Sequence, residues 1–476
     1  MKRLLTLFTA MAMVVLTFAT AGFFTLATAP VSAGLQFVPL VQVAPDDTTP
    51  VASSSAACTT PAPVITNAFF HCYTPTDIYG AYGVDKLHAE GLTGKGETIV
   101  IVDAYGSPTA LSDLQFFSNT FGLPSPNLTI FYPTGTPTPS KSMHGVQLGW
   151  AEETSLDLQW AHAIAPDAKL VLVASNPAET EGVQGFPSMF IGEQFAISHY
   201  PGAVISQSFA ATEQSFHSAA DPQVAKFDKV YQQAVANRVT VLGSSGDTGT
   251  ANVDKQLRVF PFPTVNWPSS DPLVTSAGGT WLQSGWTWNP TSPTNLGFLT
   301  TPGSRTEAVW NEPYLPAATG GGRSILFSTP AFQSGISQSL LQGSRGLPDV
   351  SWNAAVNGGV LVHTGFSGVR VGWHIIGGTS ASSPQLAGLI ALTNQLADSL
   401  GKPHVGYLNP LLYKLSASDF TDIVPQTFGP GAVTLADNSQ FGSGIPGMAV
   451  TTGYDLATGF GSPKADHFVL DLAAIL

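Results

Sequence analysis

Four short apolar runs constrain this chain more than any other feature. Residues 98–103, 169–174, 203–206 and 239–243 are built mainly of Val, Ile, Leu and Ala, with little polar alternation. Runs of that kind suit strands buried on both faces, as in a parallel sheet covered by helices. Around and between them the spacing of apolar residues is helical, at 75–88, 109–121, 153–164, 194–199 and 222–236. Strand and helix alternating through short connections predict the α/β class: a doubly wound, mostly parallel sheet with right-handed crossovers and helices on both faces. Residues 283–346 are rich in Gly, Ser, Thr, Pro and Trp without a clean period. They read as surface loops, with a hairpin as one option. No internal repeat is visible, and residues 73–476 read as one domain.

Composition narrows the functional classes. With 476 residues, 43% of them hydrophobic, the chain can bury a large core. Only 10% of residues are charged, while Gly (48) and Pro (36) are plentiful, which describes a loop-rich globular protein. A formal net charge of −13 argues against nucleic-acid binding, which needs a basic stripe. Few ionisable groups also leave few buried charge pairs to lose on acidification, so an acidic working environment is tolerable.

The N-terminus has the pattern of a targeting segment. Lys2 and Arg3 precede an apolar stretch from Leu4 towards Leu26, and Val31-Ser32-Ala33 offers a small-residue cleavage site. Residues 1–33 are therefore read as a signal peptide, with an uncleaved membrane anchor as the rival. Either way the remainder is exported, and a secreted, extracellular location without stable membrane association after signal removal is expected. Residues 34–72 have the Pro/Ser/Thr-rich composition of a linker and carry both cysteines, Cys58 and Cys72. In an exported chain these are expected to pair, and closing a loop of that size is worth ~3 kcal/mol. Together with His71 they are too few for a structural zinc site.

Chemistry concentrates near the end of the chain. In Gly377-Gly378-Thr379-Ser380-Ala381-Ser382-Ser383-Pro384, a glycine pair delivers a serine to the head of an apolar run with helical spacing. Ser380 at such a junction faces the free N–H groups of a first helical turn, although Ser and Thr are also ordinary helix caps. Acyl transfer by serine needs a base, a group orienting that base, and donors for the oxyanion. Two sets of partners compete. Asp103, His144 and Ser380 stand in the order of one known His-dependent triad. Alternatively, Glu153 and Asp157 lie four apart on the expected helix, so both carboxyls share one face. They are either a solvated acidic face or a pair sharing a proton. Asp247, in the Gly-rich loop Ser244-Ser245-Gly246-Asp247, can donate to an oxyanion only when protonated, which points to acid pH; an Asx turn is the plain alternative.

Taken together, Glu153-x-x-Leu156-Asp157 with Ala165-Pro166, Ser244-Ser245-Gly246-Asp247, and Gly378-Thr379-Ser380-Ala381-Ser382-Ser383-Pro384 resemble the sedolisins. These serine-carboxyl peptidases, kumamolisin- and tripeptidyl-peptidase-like, share a subtilisin-like fold, and the resemblance runs from about residue 73 to the end. It implies Ser380 as nucleophile, Glu153 as general base and later acid, Asp157 as the partner orienting Glu153, and Asp247 as oxyanion donor. It further implies a calcium site formed by the carboxylates of Asp422 and Asp455 and the carbonyls of Ile423, Thr451 and Gly453. Residues 204–208 resemble the edge on which family members lay a polypeptide substrate. Family members usually follow a long folded prosegment, and only roughly forty linker-like residues precede the domain, so no prosegment is evident. The expectation is a secreted, monomeric, acid-active, calcium-binding endopeptidase. A His-dependent protease using Asp103 and His144, and a non-catalytic exported binding protein on the same scaffold, are the rivals.

Overall fold

The computed structural model describes residues 69–476 apart from 138–145, 177–184, 255, 257, 289–297, 300–303, 314, 367, 369–370 and 429–432. Before residue 69 it describes only 40–42 and 59–61, so the signal-peptide reading of 1–33, Cys58 and His144 lie outside the described residues. Its centre is an eight-stranded sheet. The order across it runs Arg305–Val309, Thr275–Ser284, Thr240–Ser244, Val204–Gln207, Thr98–Ala104, Lys169–Ser175 and Asn127–Phe131, and Val350–Asn353 also pairs with Thr275–Ser284. Every pairing is parallel except the one between Thr275–Ser284 and Arg305–Val309.

The four apolar runs are strands for the reason their composition suggests: each feeds two cores. Along Thr98–Ala104, Ile99 and Ile101 point into one core with Leu156, Trp160, Leu386 and Leu389, whereas Val100 and Val102 point into another with Phe186, Phe190 and Phe227. Alternate side chains of Lys169–Ser175 divide in the same way. Helices therefore cover both faces, and the fold is the doubly wound, subtilisin-like α/β architecture.

Two helices position the chemistry. The helix Val146–Ile164, called here the acid helix, carries Glu153 and Asp157 and is buried almost throughout. The helix Thr379–Ser399, the serine helix, carries Ser380 in its first turn and is buried through most of its length. They pack against each other with little space between them. A Cβ on Gly388 would stand 2.6 Å from Ile164 Cβ, so only glycine admits this approach. Pro384 lies inside the serine helix and removes the N–H that would otherwise bond the Ser380 carbonyl.

Several elements depart from the sequence reading. The stretch read as a linker contains Leu40–Gln42, which pairs with Gly372–Gly377, and Phe69–Tyr73, which pairs with Gly359–Thr364. Those partners can use main-chain groups whatever the side chains are, so linker composition did not prevent pairing. Cys72 is disulfide-bonded, and the sequence holds one other cysteine, Cys58. Residues 283–346 are not mainly surface loops. They contain Arg305–Val309 of the main sheet and the antiparallel strands Gly322–Ser328 and Ser344–Leu347, and they bury Trp310, Glu312 and Ala317. Finally, Val204–Gln207 is not an edge. It is bonded on both sides, to Thr98–Ala104 and to Thr240–Ser244, so its ladder groups are not free to receive a peptide.

Gly388→Val is expected to force the two helices apart. Overpacking of this kind costs about 1–3 kcal/mol, read as a lower denaturant midpoint with an unchanged m-value, and a midpoint equal to that of the parent would contradict the close crossing.

Candidate active site

The carboxyl ends of the central strands, the acid helix and the start of the serine helix converge on one buried cluster. Gly372–Gly377 runs into the serine helix through Gly378, whose φ of +121° is open to glycine and hardly to other residues. A Cβ at Gly378 would also sit 2.7 Å from Asp247 Oδ2. The missing side chain thus lets the Asp247 carboxyl lie directly beside the turn that presents Ser380.

Asp247 is held from one side. The Thr379 N–H and the Thr379 hydroxyl both donate to its Oδ1, each at 2.8 Å. The Thr379 hydroxyl in turn accepts the Gly246 N–H at 3.0 Å, which closes a small ring between the two loops. Oδ2 is left for other use. Burial raises this carboxyl to about 6, against the opposing pull of the Thr379 donors.

Glu153 and Asp157 are both fully buried, one turn apart on the acid helix. Like charges at that spacing on an exposed helix cost only about 0.2–0.5 kcal/mol. Burial is the larger effect. Desolvation holds Glu153 well above the usual carboxylate range, the negative charges of Asp103 and Asp247 push the same way, and the Ser380 and Ser208 hydroxyls oppose them. Neither Glu153 oxygen completes a hydrogen bond of ordinary geometry, as is common before a substrate draws such groups together. Asp157 is also raised, first by desolvation and then by the charges of Glu153 and Asp103. The Ser208 hydroxyl donates to its Oδ2 at 3.1 Å.

A fourth acid completes the cluster. Asp103, at the carboxyl end of the first strand, accepts the Thr154 hydroxyl at 2.9 Å on Oδ2, has no partner for Oδ1, and is raised to about 7 by burial. The structure therefore places Asp103 beside the acid pair. No histidine among the described residues is hydrogen-bonded to Ser380. Nor does any Lys, Arg or His among them form an ion pair with Asp103, Glu153, Asp157 or Asp247. Four carboxyls sealed together without a cation cannot all be ionised near neutrality.

The sequence reading brought together Ser380, Glu153, Asp157 and Asp247, but it placed Ser208 only in a substrate edge and assigned no task to Thr379. Thr379 was in plain view beside Ser380. Ser208 lies just past the end of a central parallel strand, where ligand sites of open α/β sheets gather, and that rule is the signal by which it could have been found.

Of the expected calcium ligands, the two carboxylates meet the same short turn. The pairing of Phe420–Thr421 with Ser462–Pro463 brings Asp422 beside the C-terminal loop. Asp422 Oδ2 accepts the Gly453 N–H and Asp455 Oδ2 accepts the Thr451 N–H, each at 3.0 Å. Asp455 is buried and has no cationic partner among the described residues. Two carboxylates gripping one short turn, one of them buried without a counter-ion, fit a hard cation that prefers oxygen.

Buried acids make stability depend on pH. A carboxyl raised on folding stabilises the fold fully below its unfolded value, near 4, and that stabilisation is lost as pH rises through the folded value. The relevant values are about 6 for Asp247, about 7 for Asp103, and about 8 for Glu193, another buried acid with both oxygens unpartnered. The thermal midpoint of a Ser380→Ala protein should therefore be higher near pH 5 than near pH 8, and Asp103→Asn should flatten the dependence. A midpoint rising towards pH 8 would contradict it.

Comparison with known proteins gives these residues a context. No family model matches the chain. It is 31% identical over 400 residues to kumamolisin of Bacillus sp. (strain MN-32), covering 82% of this chain and 62% of that protein. It is 30% identical over 378 residues to sedolisin of Pseudomonas sp. (strain 101), covering 78% of this chain and 57% of that protein. The chain thus spans less than two thirds of the length of these curated relatives. Among solved structures it resembles Pseudomonas sedolisin, a serine-carboxyl proteinase complexed with two molecules of pseudo-iodotyrostatin, with a TM-score of 0.64 and 27% identity. That match covers 85% of this chain and 97% of the other. With this kinship in sequence and in structure, the chain belongs to the sedolisin family.

Proposed function

We propose that this chain is a secreted serine-carboxyl endopeptidase, most active at acid pH, that hydrolyses peptide bonds through an acyl-enzyme on Ser380. The observation that carries the reading is the cluster of four buried carboxyls, with no cationic partner among the described residues, placed around a serine at a helix N-terminus. An imidazole base would need one ionised acid. Four neighbouring acids are usable when most of them hold protons.

In this reading Ser380 Oγ attacks the scissile carbonyl carbon while Glu153 takes its proton. Asp157, held by Ser208, shares a proton with Glu153 and orients it. The tetrahedral oxyanion receives a hydrogen bond from protonated Asp247 Oδ2, the oxygen left over once Thr379 has engaged Oδ1. Collapse breaks the C–N bond, and Glu153 returns its proton to the leaving amine. Water then attacks the acyl ester by the same relay and frees Ser380. The polypeptide substrate pairs with main-chain groups beyond Gln207, since the strand itself is already bonded on both sides. Pseudomonas sedolisin, whose structure this chain resembles, is a serine-carboxyl proteinase, which supports hydrolysis of peptide bonds.

On denatured casein near pH 4, Ser380→Ala and Glu153→Ala should each lower kcat by roughly 10⁴-fold, whereas His144→Ala should stay near the parent. The reverse result for His144 and Glu153 would favour the His-dependent triad, and an inert parent protein would favour the binding-protein reading. Asp247→Ala should cost about 10²–10³ in kcat, and parent activity should fall as pH rises past about 6. Cleavage inside a peptide with a blocked N-terminus separates endopeptidase action from tripeptide release.

We further infer that calcium is held by the carboxylates of Asp422 and Asp455 with the carbonyls of Ile423, Thr451 and Gly453. The ion would act as a structural cross-link between the C-terminal loop and the body. Residues 1–33 act as the export signal, residues 34–72 lead into the peptidase domain 73–476, and the mature protein works as a monomer. No helix among the described residues is long and apolar enough to cross a membrane. A chelator should lower the thermal midpoint and calcium should restore it; Asp455→Asn should abolish the restoration, and a midpoint indifferent to chelator would remove calcium from this account.

A further inference from the structure

At the opposite end of the serine helix from Ser380, three potential ligand atoms face one another. Glu97 immediately precedes the strand Thr98–Ala104, Asp398 is in the last turn of the serine helix, and His404 follows in the loop beyond it. His404 Nε2 lies 3.1 Å from Asp398 Oδ1 and 3.6 Å from Glu97 Oε2. All three ligand atoms lie within 4.8 Å of one another.

The state of the imidazole is set by its other nitrogen. His404 Nδ1 is 2.9 Å from the Gly202 carbonyl, which can only accept, so Nδ1 carries a hydrogen. With a hydrogen on Nδ1, Nε2 faces two carboxylates, an arrangement that requires a positive centre between them: a second proton on the ring or a metal ion. Orientation of a ligating histidine by a backbone carbonyl at its far nitrogen is the usual arrangement around a bound metal. The side chain of Glu97 is only 3% exposed. Among the described residues its carboxylate meets no hydrogen-bond donor other than the facing imidazole, so it is a buried acid aimed into the cluster. The carbonyls ending the serine helix add negative potential at the same place.

The spacing discriminates between cations. Bonds of about 2.0–2.2 Å to nitrogen and oxygen in a tetrahedron separate neighbouring ligand atoms by about 3.3–3.6 Å. The imidazole-to-carboxylate separations of 3.1 and 3.6 Å lie close to that range, and the two carboxylate oxygens are within 4.8 Å of each other. A mixed imidazole and carboxylate set suits zinc better than calcium, which takes oxygen alone. We propose that Glu97, Asp398 and His404 form a three-ligand site for a divalent transition-metal ion of the zinc class, with water completing the tetrahedron. The ion ties the far end of the serine helix to the start of the first strand and, through His404, to the turn before Val204–Gln207. This site is separate from the Asp422–Asp455 loop and does not depend on the peptidase reading.

The test uses Ser380→Ala protein, stripped with chelator, returned to excess calcium at about pH 7, and titrated with Co²⁺ alone while visible d–d absorption is followed. One equivalent should bind with the intense bands of a tetrahedral site, Zn²⁺ should displace it, and Zn²⁺ should raise the thermal midpoint. His404→Gln and Asp398→Asn should each weaken Co²⁺ binding at least tenfold; Asp398 is exposed, so its variant should fold even if the histidine variant does not. No uptake by the parent would mean that a proton alone fills the cluster as an imidazolium, and would overturn the proposal. Uptake unchanged in both variants would place the ion elsewhere and overturn it equally.

Discussion

The site depends on one physical constraint: four buried carboxyl groups lie together, and no cationic side chain among the described residues offsets them. Desolvation is the largest influence on each of Asp103, Glu153, Asp157 and Asp247, and for Glu153 and Asp157 neighbouring acids add to it. Neutral donors supply the relief, a hydroxyl for each of three acids and for Asp247 the Thr379 N–H as well. Thr154 serves Asp103, Ser208 serves Asp157, and Thr379 serves Asp247. Hydroxyls tolerate either protonation state of a carboxyl, which a lysine or arginine would not. A guanidinium in their place would hold the acids ionised and remove any proton for the cluster to share.

Holding such a cluster together requires helices that do not yield. The acid helix is buried on nearly every side, and at Gly388 the serine helix comes close enough to exclude even a methyl group. Strands feed apolar side chains alternately into two cores, so each face of the sheet braces helices. The repulsion among the acids is therefore set against packing distributed over the whole domain.

Much of this was legible from the residues. The helix Pro222–Ala236 has the bounds expected from spacing, because one face is apolar and the other solvated. The four apolar strands were equally plain. The acid helix was harder to delimit: it begins at Val146, before its expected start at Glu153, and a helix buried all round carries no polar face to mark its length. Thr275–Ser284 was not recognised as a strand because Gly278, Gly279 and its Thr and Ser residues give neither an apolar run nor an alternation. Ser380, Glu153, Asp157 and Asp247, which the structure brings together, were singled out through local motifs. Ser208 carried no such motif, since its task is defined by a residue on another element.

The acid helix and the serine helix are separated by more than two hundred residues, yet each covers the other. A growing polypeptide emerging from its N-terminus displays the acid helix long before Thr379–Ser399 exists to cap it. Until then Glu153 and Asp157 lack the covering that raises both of them in the folded protein. The unusual proton affinity of this centre is thus conferred late in synthesis, when the chain's final portion closes over a surface that its earlier portion has held open.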